Sequence, residues 1–155
     1  MTITFADTSA AVSLTANIEA SLQAFKVASG LRLQIYPGRP RTLVPPSIWQ
    51  DSRRDTISFR GARDVNFMGH VMTTELVALH GLFDSAEAVS QRDAFVDGFT
   101  SYIRANRDTG LAGPNSVLLS MTLNDVPNYV PDWVPERDQL VYFATLITLE
   151  VDIED

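Results

Sequence analysis

Between Ser9 and Ala28 the apolar positions recur every three or four residues, with Val12 or Ala11, Leu14, Ile18, Leu22 and Phe25 on one stripe. That spacing predicts an amphipathic helix. Asp7, Thr8 or Ser9 can accept an orphan N–H bond at its start, and Gly30 suits the left-handed residue that closes such a helix. Thr2 to Phe5 ahead of it reads as a short arm or strand. The period then changes to two: Leu31, Leu33 and Ile35 alternate with Arg32, Gln34 and Tyr36, which predicts a half-buried strand ending at Pro37. Four of the eight prolines fall between residues 37 and 46, where they remove backbone donors from any ladder. An extended, exposed loop is expected at about residues 37–55, carrying Arg39 and Arg41.

Two further strands, Thr56 to Arg60 and Val65 to Leu79, are expected around a tight connection at Gly61 to Asp64. In the second, Met72, Thr74, Leu76 and Ala78 share one face while Val71, Thr73, Glu75 and Val77 share the other. Neither face is cleanly apolar, so both are expected to be partly covered. A second helix is predicted from about Asp84 to Arg104, with Asp84 and Glu87 as a capping box and Val89, Phe95 or Val96, Phe99, Tyr102 and Ile103 as its stripe. Residues 108–115 read as a loop. Val117, Leu119, Met121 and Leu123 alternate as another strand, residues 124–138 read as a long irregular loop around Tyr129 and Trp133, and Val141 to Ile153 forms the clearest strand. The expected fold class is α+β: a mostly antiparallel β-sheet of about 4–5 strands packed against two α-helices. A single domain over residues 1–155 is expected, with extended loops at about 37–55 and 124–138.

Composition narrows the function. With 45% hydrophobic and 20% charged residues in 155, the chain has enough apolar side chains to order a globular core. It contains no cysteine, which removes disulfide scaffolds, thiolate nucleophiles and cysteine-based metal sites. The opening residues lack a basic segment followed by an apolar run, and no long apolar stretch occurs, so neither a secretion signal nor a membrane span is expected. A net charge of -7 disfavours general nucleic-acid binding, which depends on neutralising phosphates. The average hides an asymmetry. Residues 31–63 carry seven arginines against two aspartates, whereas residues 108–155 carry nine acids against Arg137. Such a chain either pairs the two segments internally or places complementary patches on different faces, where copies can meet head to tail or around a ring.

No phosphate-cradling loop, dinucleotide fingerprint, nucleophile elbow or zinc-helix motif occurs in the sequence. His70 and His80 with Glu75 and Asp84 make a poor metal set, because a strand and its exit do not bring them together. Asp93 and Asp97 share a helix face, yet with Arg92 and Arg104 nearby they read as a solvated surface rather than an acid–base pair. Arg53 and Arg54, flanked by Asp51 and Asp55, read as local or intersubunit ion-pairing residues before phosphate ligands. Trp49, Tyr129 and Trp133 lie in proline-rich segments that read as irregular, where large aromatics either plug the end of a core or anchor a partner. A binding or assembly module fits these features better than an enzyme, and no catalytic, cofactor or metal residue is assigned.

The order of features resembles the tail terminator (tail completion) proteins of long-tailed bacteriophages and the related neck proteins of phage-like particles. It rests on the opening helix ending in Gly30, the strand into Tyr36-Pro37, the basic proline-rich loop to Pro45-Pro46, the long strand Val65 to Leu79, the helix through Asp93 to Asp97, and the closing strand Leu140 to Val151. The resemblance implies a homohexameric ring that caps the tail tube, stops its growth and offers a joining surface to head-closure or neck proteins. It also implies a place in the virion, with assembly in the host cytoplasm; an acidic lumen is expected to let genomic DNA pass without specific binding, because few phosphates are neutralised. Arg39, Arg41, Trp49, Arg53, Arg54, Tyr129 and Trp133 are the candidates for the subunit or tube interface. The loop at 124–138 departs from the family pattern and keeps another head–tail connector, or an adaptor of a contractile injection machine, open as the alternative.

Overall fold

The structure, a computed structural model, describes residues 8–59, 68–106 and 116–153. The predicted arm at Thr2 to Phe5, the cap at Asp7, the connection at Gly61 to Asp64 and the loop at 108–115 lie outside the described residues.

Helix α1 spans Thr8–Ser29 and helix α2 spans Ala86–Asn106. The stripe read from the sequence is the face that α1 buries: Leu14, Ile18, Leu22 and Phe25 are each at most 2% exposed. Gly30 closes the helix in the left-handed region at φ 68°, and its N–H bonds Lys26 O at 3.1 Å. The start of α2 differs from expectation. Asp84 does not cap it, because Asp84 itself takes the left-handed conformation (φ 64°) that turns the chain out of the preceding strand. The cap is Ser85, whose Oγ accepts the Ala88 N–H at 3.1 Å and donates to Leu82 O at 3.0 Å. Ser85→Ala is expected to lose about 1 kcal/mol in urea unfolding, with Ser85→Thr recovering most of it, since only the hydroxyl is at stake.

Five strands, β1 (Gln34–Tyr36), β2 (Ser47–Phe59), β3 (Met68–Leu82), β4 (Ser116–Tyr129) and β5 (Tyr142–Ile153), form one sheet in the order β1-β2-β3-β5-β4. Among the described residues only the short β1–β2 pair is parallel; the other three pairings are antiparallel. The α+β class and the mostly antiparallel sheet with two helices are therefore as expected. Both long loops are shorter than the sequence suggested. Residues 47–55 belong to β2, whose polar Asp51 to Asp55 run hides a strand held by its ladder to β3. Residues 124–129 belong to β4, which tolerates Pro127 because it is an edge strand that needs donors on one side only.

The helices cover one face of the sheet. Between them lies the main core: Ile48, Met72, Leu76, Ala78, Ile147, Leu149 and Val151 meet the α1 stripe and Phe95, Phe99 and Ile103 of α2. Phe25 packs edge-on against Phe95 and Phe99, with centroids 5.8 and 5.4 Å away, while those two rings stack at 5.2 Å. A register shift between Leu118 and Ser120 changes the phase of β4, so Leu118 joins this core and Val117 and Leu119 are exposed. Simple alternation from Val117 placed all four apolar residues on one face; the bulge separates the first two from Met121 and Leu123, which pack inward.

Candidate functional site

On the face away from the helices, Leu43 of the 37–46 segment and Trp133 of the 130–141 segment pack against the sheet. A second cluster forms there from Trp49, Val77, Leu79, Tyr142 and Ala144, with Tyr36, Leu43, Tyr129, Trp133 and Leu146 packed around it. The expectation that both faces of β3 are partly covered holds. Trp49 is fully buried, and Trp133 meets it edge-on at 5.8 Å. Trp133 Nε1 donates to Pro40 O at 3.0 Å, which ties the later loop to the earlier one. Asp51, the bulged residue of β2, collects the polar ends. It accepts from Trp49 Nε1 at 3.2 Å and from Arg39 Nε and Nη2 at 2.8 and 3.3 Å. The Arg39 guanidinium lies 4.8 Å from the centre of the Trp133 ring.

Electrostatics follow from Asp51 and burial. Its hydrogen bond and charge push Arg39 above the usual guanidinium value. Tyr129 is pushed up to about 12, first by burial and then by the Asp51 charge. Burial and then Asp51 also raise Glu75. The cluster is thus an aromatic plug with one bidentate ion pair at its rim, and it holds no activated nucleophile.

Four of the seven interface candidates, Arg39, Trp49, Tyr129 and Trp133, converge here. The structure corrects the role of Trp49: with no exposed surface it plugs the second core and cannot itself touch a partner. Arg41 is exposed on the 37–46 loop. Arg53 and Arg54 lie on β2 rather than in a loop, and they point to opposite faces. Arg53 reaches the helix side and donates to Thr15 Oγ1 of α1 at 2.7 Å, whereas Arg54 is exposed on the other face beside Thr73. Sequence reasoning missed Asp51 as the organiser, because a lone aspartate between polar residues carries no periodic signal.

The histidine region differs from the metal set considered. His80 is buried on the helix side, whereas Glu75 faces the other side of the sheet; the His70 side chain lies outside the described residues. No group of three or more acidic or histidine side chains able to hold a metal ion occurs among the described residues. His80 Nε2 instead lies 2.7 Å from Thr145 Oγ1, which donates to Asp125 Oδ1 at 2.9 Å, and Asp125 Oδ2 takes Arg92 of α2 at 2.8 Å. A carboxylate only accepts, so the single Thr145 proton goes to Asp125 and His80 must present Nε2–H to Thr145. Arg92 also binds Asp93 at 3.0 Å, and Asp93 and Asp97 are exposed, in keeping with a solvated helix surface. A cavity of about 430 Å³ opens beside His80, walled by Pro45, Pro46, Leu82, Ser85 and Gln91 among others.

The topology gives the charge asymmetry a geometry. The segment 31–59, with five arginines against two aspartates, builds the β1–β2 side of the sheet. The segment 116–153 builds β4 and β5 on the opposite side, with Asp125, Glu150 and Asp152, while its loop at 130–141 reaches back to the 37–46 loop and brings Asp132 near Arg39. No helix among the described residues is long and apolar enough to cross a membrane. No protein-family model matches the chain, and no curated protein sequence matches it either.

Proposed function

We propose that this chain is a structural subunit of a phage tail, a tail terminator that closes into a ring on the end of the tail tube. The ring stops tube growth and offers the surface to which head-closure or neck proteins join. The observation that carries this reading is that Arg54 stands on β2 at one side of the sheet while Glu150 and Asp152 stand on β5 at the other. A self-complementary two-fold contact brings like patches together, whereas a head-to-tail contact brings opposite ones together and repeats until the rotation closes. The order of helices and strands on which the phage resemblance rests agrees with the α+β sheet. Beyond the second cluster, the outer sheet face bears Glu150 and Asp152 with Arg54. Turned towards a lumen, that face neutralises few phosphates and lets DNA pass without adhering. No catalytic role is proposed.

Light scattering after size-exclusion chromatography is expected to give a mass of about six subunits, alone or once tail tubes are added. Negative-stain images are expected to show rings at tube ends. A strict monomer at high concentration that ignores tubes overturns the reading.

A further inference from the structure

Among the described residues both edges of the sheet are open over matching lengths. Strand β1 covers β2 only at Ser47 to Trp49, so among the described residues the outer side of β2 from Ser52 to Phe59 has no strand beside it. At the other edge, among the described residues, β4 pairs only with β5, and between its two register shifts it runs regularly from Ser120 to Val126. Eight residues on one edge thus face seven on the other, each about 23 to 26 Å of strand at about 3.3 Å per residue. Exposed edges are normally blunted by proline, lysine or inward-pointing charge. The window Ser-Met-Thr-Leu-Asn-Asp-Val on β4 has neither proline nor lysine, and its one charge, Asp125, is held by Arg92.

We propose that the β4 edge of one copy pairs with the β2 edge of the next, continuing the sheet from subunit to subunit. Resting on the ring reading above, the proposal specifies its contact. Strand direction agrees with it. Because β2 and β5 both run opposite to β3, and β4 runs opposite to β5, β2 and β4 run in opposite senses. Setting the next copy beside β4 with its sheet faces aligned therefore places β2 there in antiparallel orientation, the pairing that three of the four ladders among the described residues already use. Alternate residues of each window offer backbone N–H and C=O groups across the joint. Charge selects the partner edge. Arg54 on β2 faces the same side of the sheet as Ser120 and Glu150, with Glu150 one strand in from the β4 edge, where it already accepts from Ser120 Oγ at 3.1 Å. Pairing β4 with another β4 would instead set acidic sides together.

The lack of native cysteine makes cross-linking a direct test. Single cysteines at Ser52, Arg54 or Thr56, and at Ser120, Thr122 or Asn124, all lie on the outer face of an edge strand. In the full-length chain, under mild oxidation or with a short bismaleimide, at least one combination of a β2 cysteine with a β4 cysteine is expected to give a covalent ladder of dimers, trimers and higher multimers. Mixing a β2 single variant with a β4 single variant is expected to give heterodimers, and either alone to stay monomeric on denaturing gels. Dimers from a β4 variant alone overturn the proposal in favour of a two-fold edge contact. An oligomer in which no combination cross-links overturns the edge contact and leaves the ring standing, whereas a monomer throughout overturns both.

Discussion

Replacing Trp49 by alanine is expected to cost about 3 to 5 kcal/mol of folding stability, the range for removing a large aromatic from a packed core. The side chain is fully buried between β3, β5 and the Trp133 ring, and nothing on its rigid strand can close over the space it leaves. The substitution also removes the Nε1–H that Asp51 accepts, though Arg39 still satisfies that carboxylate. Trp133→Ala is expected to cost roughly half as much, because the ring is only half-buried and sits on a loop that can relax. The measurement is urea unfolding followed by far-ultraviolet circular dichroism and by tryptophan fluorescence. Both tryptophans of the chain lie in this one cluster, so the fluorescence of the unmodified protein reports the second core while the dichroism reports the whole fold. A loss below about 1 kcal/mol for Trp49→Ala would show that the second core contributes little. A ring contact that uses the 37–46 and 130–141 loops depends on this plug, because Trp133 and Pro40 are what hold them to each other.

The elements with a clean apolar period were legible in the sequence, and each miss has a physical cause. Helix α1 and strand β5 announce themselves because each carries an unbroken apolar period; Leu14, Ile18 and Leu22 on α1 and Ile147, Leu149 and Val151 on β5 all lie in the main core. Strand β2 was legible only beyond Thr56. Around Asp51 to Asp55 both faces are polar, Arg53 reaching Thr15 and Arg54 reaching solvent, so the pattern holds no burial signal and the strand is specified by its partner β3. The β4 phase error comes from a bulge, which inserts one residue without altering composition. At the start of α2, Asp84 and Ser85 are both good capping residues; the left-handed turn at Asp84 is what passes the role to Ser85.

The candidate site was legible in part for a related reason. Large aromatics between prolines point to a plug or an anchor, and Trp49, Tyr129 and Trp133 do come together. Which of the two roles each plays depends on burial, and only the fold supplies that. The charge split was visible in the linear sequence, but its meaning rests on strand order. Had β4 lain next to β2, the same residues would pair within one sheet interior and leave no opposed edges. The chain from His80 to Arg92 was invisible beforehand, since it joins residues 65, 20 and 33 positions apart.

That chain carries the second large effect. His80 is expected to make the protein acid-sensitive by about 3 kcal/mol. Burial beneath Phe95 and Phe143 lowers its pKa from 6.5 to about 4, a push that the Asp125 charge opposes and the Arg92 charge reinforces. Above pH 6.5 the imidazole is neutral both folded and unfolded, so it adds no pH dependence. Between 6.5 and about 4 the unfolded chain takes up a proton that the folded chain refuses, and stability falls with pH at up to about 1.4 kcal/mol per unit. Below about 4 the folded form is protonated too, and the loss levels off. Protonation also defeats the hydrogen-bond order, because the imidazolium needs a second acceptor at Nδ1 within a half-apolar pocket. Urea titrations of the wild type and of His80→Gln, which keeps a donor for Thr145, separate this effect from the protonation of surface carboxylates common to both. The wild type is expected to lose about 3 kcal/mol more than the variant between pH 7 and pH 4. Parallel curves for the two proteins would show that His80 titrates normally and that Thr145 is not its acceptor.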